Sequence, residues 1–109
     1  MLLTTTPYIE GYTIRRYGPL VCSEAVMGTN LFRDYFAKVR DVIGGRSGAF
    51  QSALKEAREA IIREIEIQSQ KADCNAIIGL DIDYSEISGN GKTMLMVAIQ
   101  GTAVYIEPA

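Results

Sequence analysis

The sequence predicts an α+β domain: an antiparallel four-strand sheet with two helices packed on one face, in the order β-β-α-α-β-β. Three observations lead there. Two stretches in the middle of the chain repeat apolar residues at helical spacing. A long run before them is rich in Tyr, Thr, Ile and Val, which favour a pleated surface. The last third carries Asn90-Gly91 between two alternating runs, the strongest short hairpin signal, because both residues tolerate positive φ in a type I′ turn.

Residues Leu2–Thr6 are β-prone and end at Pro7. Residues Tyr12–Met27 read as one bent strand. Gly18-Pro19 interrupts it, and since proline has no N–H to give to a ladder, the pair marks a bulge or an edge. Gly28-Thr29-Asn30 then opens a helix, with Thr29 or Asn30 as its cap. Phe32, Tyr35, Phe36, Val39 and Ile43 form its apolar stripe. Asp34 and Lys38 are an i,i+4 pair in the favourable order. Gly44 suits the left-handed residue that ends a helix.

A second helix is expected from about Ala49 to Ala72, roughly 35 Å long at the helical rise. Its stripe is Phe50, Ala53, Leu54, Ala57, Ile61 and Ile65. Arg58 sits at the edge of that stripe, where a guanidinium needs a carboxylate, a carbonyl or water. The ordinary reading is a snorkelling side chain with one salt bridge.

The Asn90-Gly91 turn sets the hairpin register by arithmetic: paired residue numbers sum to 181. Glu86 then faces Leu95, Tyr84 faces Val97, Ile82 faces Ile99 and Leu80 faces Gly101, an almost wholly apolar face. On the other face Asp81 meets Gln100, Asp83 meets Ala98, Ser85 meets Met96 and Gly79 meets Thr102. The oily side is expected to carry the helices.

Length and composition bound the function. The 109 residues make one domain, 1–109, without linker or repeat. With 48% hydrophobic and 22% charged residues the chain belongs with folded rather than disordered sequences. A net charge of −2 lacks the dense basic surface of a sequence-independent nucleic-acid binder, and Arg15-Arg16 is too little to supply it. No stretch approaches the roughly 20 apolar residues of a membrane span. Met1–Thr6 has neither the basic flank nor the apolar run of a signal peptide. The expectation is a cytoplasmic protein with no nucleic-acid and no membrane partner.

The chemistry-bearing residues are few. There are two cysteines, Cys22 and Cys74, and no histidine. Cys22 follows Leu20-Val21 and reads as a buried small hydrophobe. Cys74 stands where the second helix should end. Without a C-x-x-C pair or an imidazole, no thiolate metal site is expected inside one chain. No serine has a histidine to activate it, which excludes a Ser-His-Asp hydrolase, and no catalytic residue is assigned. Met94 and Met96 alternate on a strand, and packing explains them.

Two constellations remain. The stretch IGGRSGAF, residues 43–50, is glycine-rich, but a Walker loop needs G-x-x-x-x-G-K-[ST] after a strand, and here the glycines follow a helix and no lysine is present. It reads first as a hinge. In that reading Gly44 or Gly45 takes positive φ, and Arg46 pairs with Asp34, Asp41 or a neighbouring subunit's carboxylate. A second reading makes it an anion site at a helix N-terminus. Asp81 and Asp83 share a strand face with Gln100 and Thr102. Such a pair binds a hard cation, or does acid–base work if the two pKa values are driven apart, although solvation is the commoner fate of strand carboxylates.

Five stretches carry a resemblance: GTNLFRD at 28–34, RDVIGGRSGAF at 40–50, LKEAREA at 54–60, CNAIIGLDIDY at 74–84 and MLMVAIQGTAV at 94–104. With them the chain resembles the YbjQ-like family, small uncharacterised bacterial proteins labelled as heavy-metal-binding domains. The likeness covers nearly the whole chain. It implies a dodecin-like subunit and a ring-shaped homo-oligomer, a pentamer, with no established activity and no defined catalytic residues. This chain departs from the family pattern at Cys74, where glycine is usual, at Gln51, where glutamate is frequent, and at Pro19, which breaks the long strand.

The function expected is a ring-forming binding or structural module that takes a small ligand or ion on its surface or in its lumen; no cofactor is named. Self-association also follows from an apolar surplus. Ile77, Met94, Met96 and Val104, added to the helical stripes, exceed what one face of a small sheet can cover, and a ring of heterologous contacts would bury the second face. Candidate ligand or subunit contacts are Arg33, Asp34, Gly44, Gly45, Arg46, Arg58, Asp81 and Asp83. The alternative is a metal- or anion-dependent enzyme using Asp81, Asp83 and Arg46.

Overall fold

The computed structural model of the protein describes residues 1–27, 48–89 and 92–109. The helix expected before Gly44 and the Asn90-Gly91 turn fall outside them. So do the expectations for Arg33, Asp34, Gly44, Gly45 and Arg46. The described elements are β1 (Leu2–Leu3), β2 (Tyr12–Met27), α1 (Gly48–Lys71), β3 (Ala76–Gly89) and β4 (Lys92–Pro108). They form one sheet in the order β1-β3-β4-β2 with α1 on one face.

The expected antiparallel sheet with two helices in β-β-α-α-β-β order is corrected here. The described residues carry one helix in the order β-β-α-β-β, and the sheet is mixed, because Leu2 and Leu3 pair in parallel with Ala76 and Ile77. The cause lies in the segment after β1. A hairpin onto β2 needs a short turn, whereas Thr4–Gly11 separates the two strands. That segment runs along β3 instead: Thr4 N–H donates to the Ile77 carbonyl (3.0 Å), Gly79 N–H to the Thr6 carbonyl (2.9 Å) and Leu80 N–H to the Thr4 carbonyl (3.1 Å). β1 and β2 thereby end up on opposite edges.

β2 is a single strand, as its composition predicts. Its register against β4 shifts between Tyr17 and Leu20, the site of Gly18-Pro19, and again between Ile14 and Arg16. The β3–β4 hairpin keeps the 181 register from Gly89↔Lys92 to Asp81↔Gln100. There the register slips, and Ile78, not Gly79, pairs with Thr102, so the expected Gly79–Thr102 and Leu80–Gly101 pairs do not form. Gly79 takes φ 61°, which a side-chain-bearing residue adopts at a cost, and the extra residue makes a β-bulge.

Two cores result, one on each face of the sheet. Under α1, Ile61 and Ile65 meet Val21, Ile77, Val97 and Ile99. On the other face, at the base of the sheet, Ala76, Ile78, Val104 and Ile106 are covered by Leu2, Ile9 and Ile14. Ile77 and Val104, counted from the sequence as surplus, are thus buried inside one chain, and the apolar excess available for assembly is smaller than composition suggests.

The C-terminus of α1 closes with a doubled turn. Cys74 N–H donates to the Ser69 carbonyl and Asp73 N–H to the Gln70 carbonyl, both at 3.0 Å, with Asp73 at φ 57°. Arg16 Nη2 crosses from β2 to donate to the Ala72 (3.2 Å) and Asp73 (2.7 Å) carbonyls. Because Asp73 holds a left-handed backbone, Asp73→Gly is expected to raise stability by about 1 kcal/mol. A lower melting temperature would show that the Asp73 side chain contributes more than its backbone strain costs.

Asn75 then extends the ladder with its side chain. Its Nδ2 donates to the Ile106 carbonyl (2.9 Å) and its Oδ1 accepts from the Ile106 N–H (2.7 Å). Asn75→Ala leaves both backbone groups without these partners, and a loss of roughly 2 kcal/mol is expected in a denaturant titration.

Candidate functional site

The site is built by strand pairing. Partners in an antiparallel ladder share a face, and alternate residues point the same way. Three successive rows therefore line the face away from α1: Cys22–Gln100–Asp81, Glu24–Ala98–Asp83 and Val26–Met96–Ser85. A shallow depression of about 280 Å³ lies among them, with Cys22, Glu24, Asp83 and Gln100 in its lining.

Asp81 and Asp83 stand together as the period of two predicts, both exposed. A hydrogen bond that the protonated Asp83 carboxyl donates to Asp81, and then the negative charge of Asp81, push the Asp83 carboxyl above its ordinary value of 3.8. A raised carboxyl pKa means that the folded state holds the proton more tightly than the unfolded chain. Stability is therefore greatest below the unfolded value and falls as pH rises through the folded one. Asp83→Asn is expected to raise the melting temperature slightly at neutral pH, with the difference from the parent vanishing in acid. A difference that persists unchanged in acid would remove the Asp81–Asp83 repulsion as its cause.

Arg58 lies on the other face. Its Nη1 donates to the Tyr84 hydroxyl at 3.3 Å, so among the described residues its partner is a phenol on β3 rather than the salt-bridge carboxylate of the ordinary reading. The sheet separates Arg58 from Asp81 and Asp83. Cys22 is also corrected: it is exposed, while Val21 beside it is buried under α1. Cys74 is buried against the end of the helix.

The strand edges hold what the sequence did not announce. Gln68 reaches from α1 to the middle of β2, where its Nε2 donates to the Cys22 carbonyl (2.8 Å) and its Oε1 accepts the Cys22 N–H (3.2 Å). The side-chain amide thus occupies one position of the β2 edge as a neighbouring strand would. By alternation Glu24 and Val26 point their backbone groups the same way, toward an edge with no strand partner among the described residues. On the opposite edge Leu80 is bonded to Thr4, and beyond it Ile82, Tyr84 and Glu86 point theirs outward. Exposed apolar side chains flank both edges, with Leu20, Val26 and Ile67 beside β2 and Ile82 and Tyr84 on β3.

Residues 1–107 match the model of the YbjQ family, described as "Putative heavy-metal-binding". A crystal structure of a protein of unknown function from Pediococcus pentosaceus, which belongs to the DUF74 family, is similar in fold. The two share 18% sequence identity with a TM-score of 0.63, over 98% of this chain and 98% of that one.

The donor set does not fit a soft heavy metal. The chain has no histidine, its two thiols lie on opposite sides of the sheet, and among the described residues no three His, Cys, Asp or Glu side chains come together. Among the described residues, no helix is long and apolar enough to cross a membrane.

Proposed function

The chain belongs to the YbjQ family, and from that premise we propose that it acts as a self-assembling binding or structural module, a closed ring of copies with no catalytic step of its own. The observation that carries this reading is a pair of strand edges on opposite sides of one sheet, β2 and the outer part of β3, that have no strand partner among the described residues. An edge with open backbone groups and apolar neighbours is a template for another strand. β2 and β3 are both antiparallel to β4 and so run parallel to each other. Strand β2 of one copy beside β3 of the next gives a parallel, head-to-tail contact, which closes into a ring when the rotation permits. The incoming Ile82 (36% exposed) and Tyr84 (48% exposed) project on the α1 side, where Ile67 is exposed too.

Five copies per ring is the number we propose, as the family resemblance implies. The helix-covered face is the bulkier and takes the outer circumference, which turns Cys22, Glu24, Asp81 and Asp83 toward the lumen. That wall suits a small polar ligand or a hard ion. Free thiols fit a reducing cytoplasm. The rival enzyme would use Asp81, Asp83 and Arg46; Arg46 lies outside the described residues, and the two aspartates are the part of that set seen together.

Light scattering on a sizing column should give several times the 12.0 kDa chain mass. Ile82→Lys with Tyr84→Lys should lower that mass with the circular dichroism unchanged. A parent chain that runs as a monomer at micromolar concentration ends the proposal.

A further inference from the structure

We infer that the heavy-metal description of the family does not extend to this chain: it holds no thiophilic metal tightly. Ions such as zinc, cadmium and copper are held by thiolate and imidazole sets of three or four ligands. This chain supplies Cys22, Cys74 and no imidazole.

The two sulfurs cannot act together. Cys22 lies in the row with Gln100 and Asp81, on the face away from α1. Cys74 belongs to the core under α1. The sheet lies between them, and its ladder would have to open for both to reach one ion.

Cys74 is also closed to an ion by itself. It is 5% exposed, and its S–H points to the Ala72 carbonyl at 3.6 Å. The backbone of Gly18 presses on it so closely that a Cβ there would stand 2.5 Å from the Sγ. An ion with its remaining ligands has no room at that sulfur.

Cys22 is left as a single thiolate with oxygen neighbours, Glu24 two residues on and Asp81 across Gln100. Among the described residues they form no three-ligand group. Thioethers do not complete the set. Met96 pairs with Val26, four residues along β2 from Cys22, roughly 13 Å away at the strand rise.

The test uses the protein as isolated, stripped with a chelator and shown by circular dichroism to be folded. It is incubated with excess Cd2+, gel-filtered, and measured for cadmium and for reactive thiols, beside Cys22→Ser. The expected result is no stoichiometric cadmium in either protein. One thiol per chain should react in the native parent, none in native Cys22→Ser, and one more in each once denatured. Cadmium retained at a fixed ratio per chain or per ring and lost in Cys22→Ser overturns the inference, because Cys22 thiolates from several copies then make the site. Retention that survives Cys22→Ser overturns it as well, through carboxylates or Cys74. A second thiol reacting in the native parent overturns the closure of Cys74.

Discussion

Truncation of Ile65 to alanine is expected to lower stability by roughly 2–5 kcal/mol, the range for large-to-small changes in a closed core. Ile65 is 0% exposed and lies at the centre of the cluster that joins α1 to the sheet. Its neighbours Val21, Val97 and Ile99 sit on strands pinned by the ladder, so they cannot collapse into the space left behind. In a domain of this size each kcal/mol moves the melting temperature by roughly 4 °C or more, so the shift should be plain in a thermal scan. Ile67 is the control. Two positions along the same helix it is 43% exposed, and Ile67→Ala should change the stability of the folded chain by about 0.5 kcal/mol or less. If Ile67 faces the next copy, that variant should instead weaken assembly. Equal thermal losses from both variants would mean that burial in one chain does not separate core from contact surface.

The legible parts of the fold are those whose information is local in the chain. The α1 stripe at Leu54, Ile61 and Ile65, the single bent strand β2 and the hairpin register from Gly89 to Asp81 each depend on residues close to one another in sequence, and each is present. β1 was misplaced because two residues have no periodicity to read. Their partner, Ala76-Ile77, is chosen by the Thr4–Gly11 segment that docks on β3. Gly79 did carry a signal, since glycine inside a strand marks a bulge, but a strict ladder count overrides it. Cys22 could have been read correctly: adjacent strand residues point to opposite faces, so a buried Val21 obliges Cys22 to face away from α1. The amide bridges were beyond reach. Gln68 and Cys22 are 46 residues apart, and Asn75 and Ile106 are 31 apart, and nothing local to either amide names its partner. Of the candidate site, the Asp81–Asp83 pair was legible from its period of two. The open edges were not, because an edge is a property of strand order.

Gly18→Ala is expected to be comparably severe and to report on the thiol as well. A methyl at Gly18 would meet the Cys74 Sγ at 2.5 Å and the Ala103 carbonyl oxygen at 3.0 Å. The first neighbour is a side chain and can turn away. The second is backbone inside the β3–β4 ladder, where Ala103 pairs with Ile77. The strain therefore falls partly on the sheet itself, and a loss of roughly 3 kcal/mol is expected, the upper part of the range for overpacking. Removing the sulfur should return a portion of it. Gly18→Ala with Cys74→Ala should be less damaged than the sum of the single variants, by about 0.5–3 kcal/mol, as for residues that share one contact. The Ala103 carbonyl remains in place, so the rescue should be incomplete. Displacing the Sγ should also make Cys74 react with a thiol reagent without denaturant, which a simple loss of packing elsewhere would not do. A Gly18→Ala protein with an unchanged melting temperature and an unreactive Cys74 would show that the β2 bend yields at Gly18, and that the closure of this thiol rests on α1 alone.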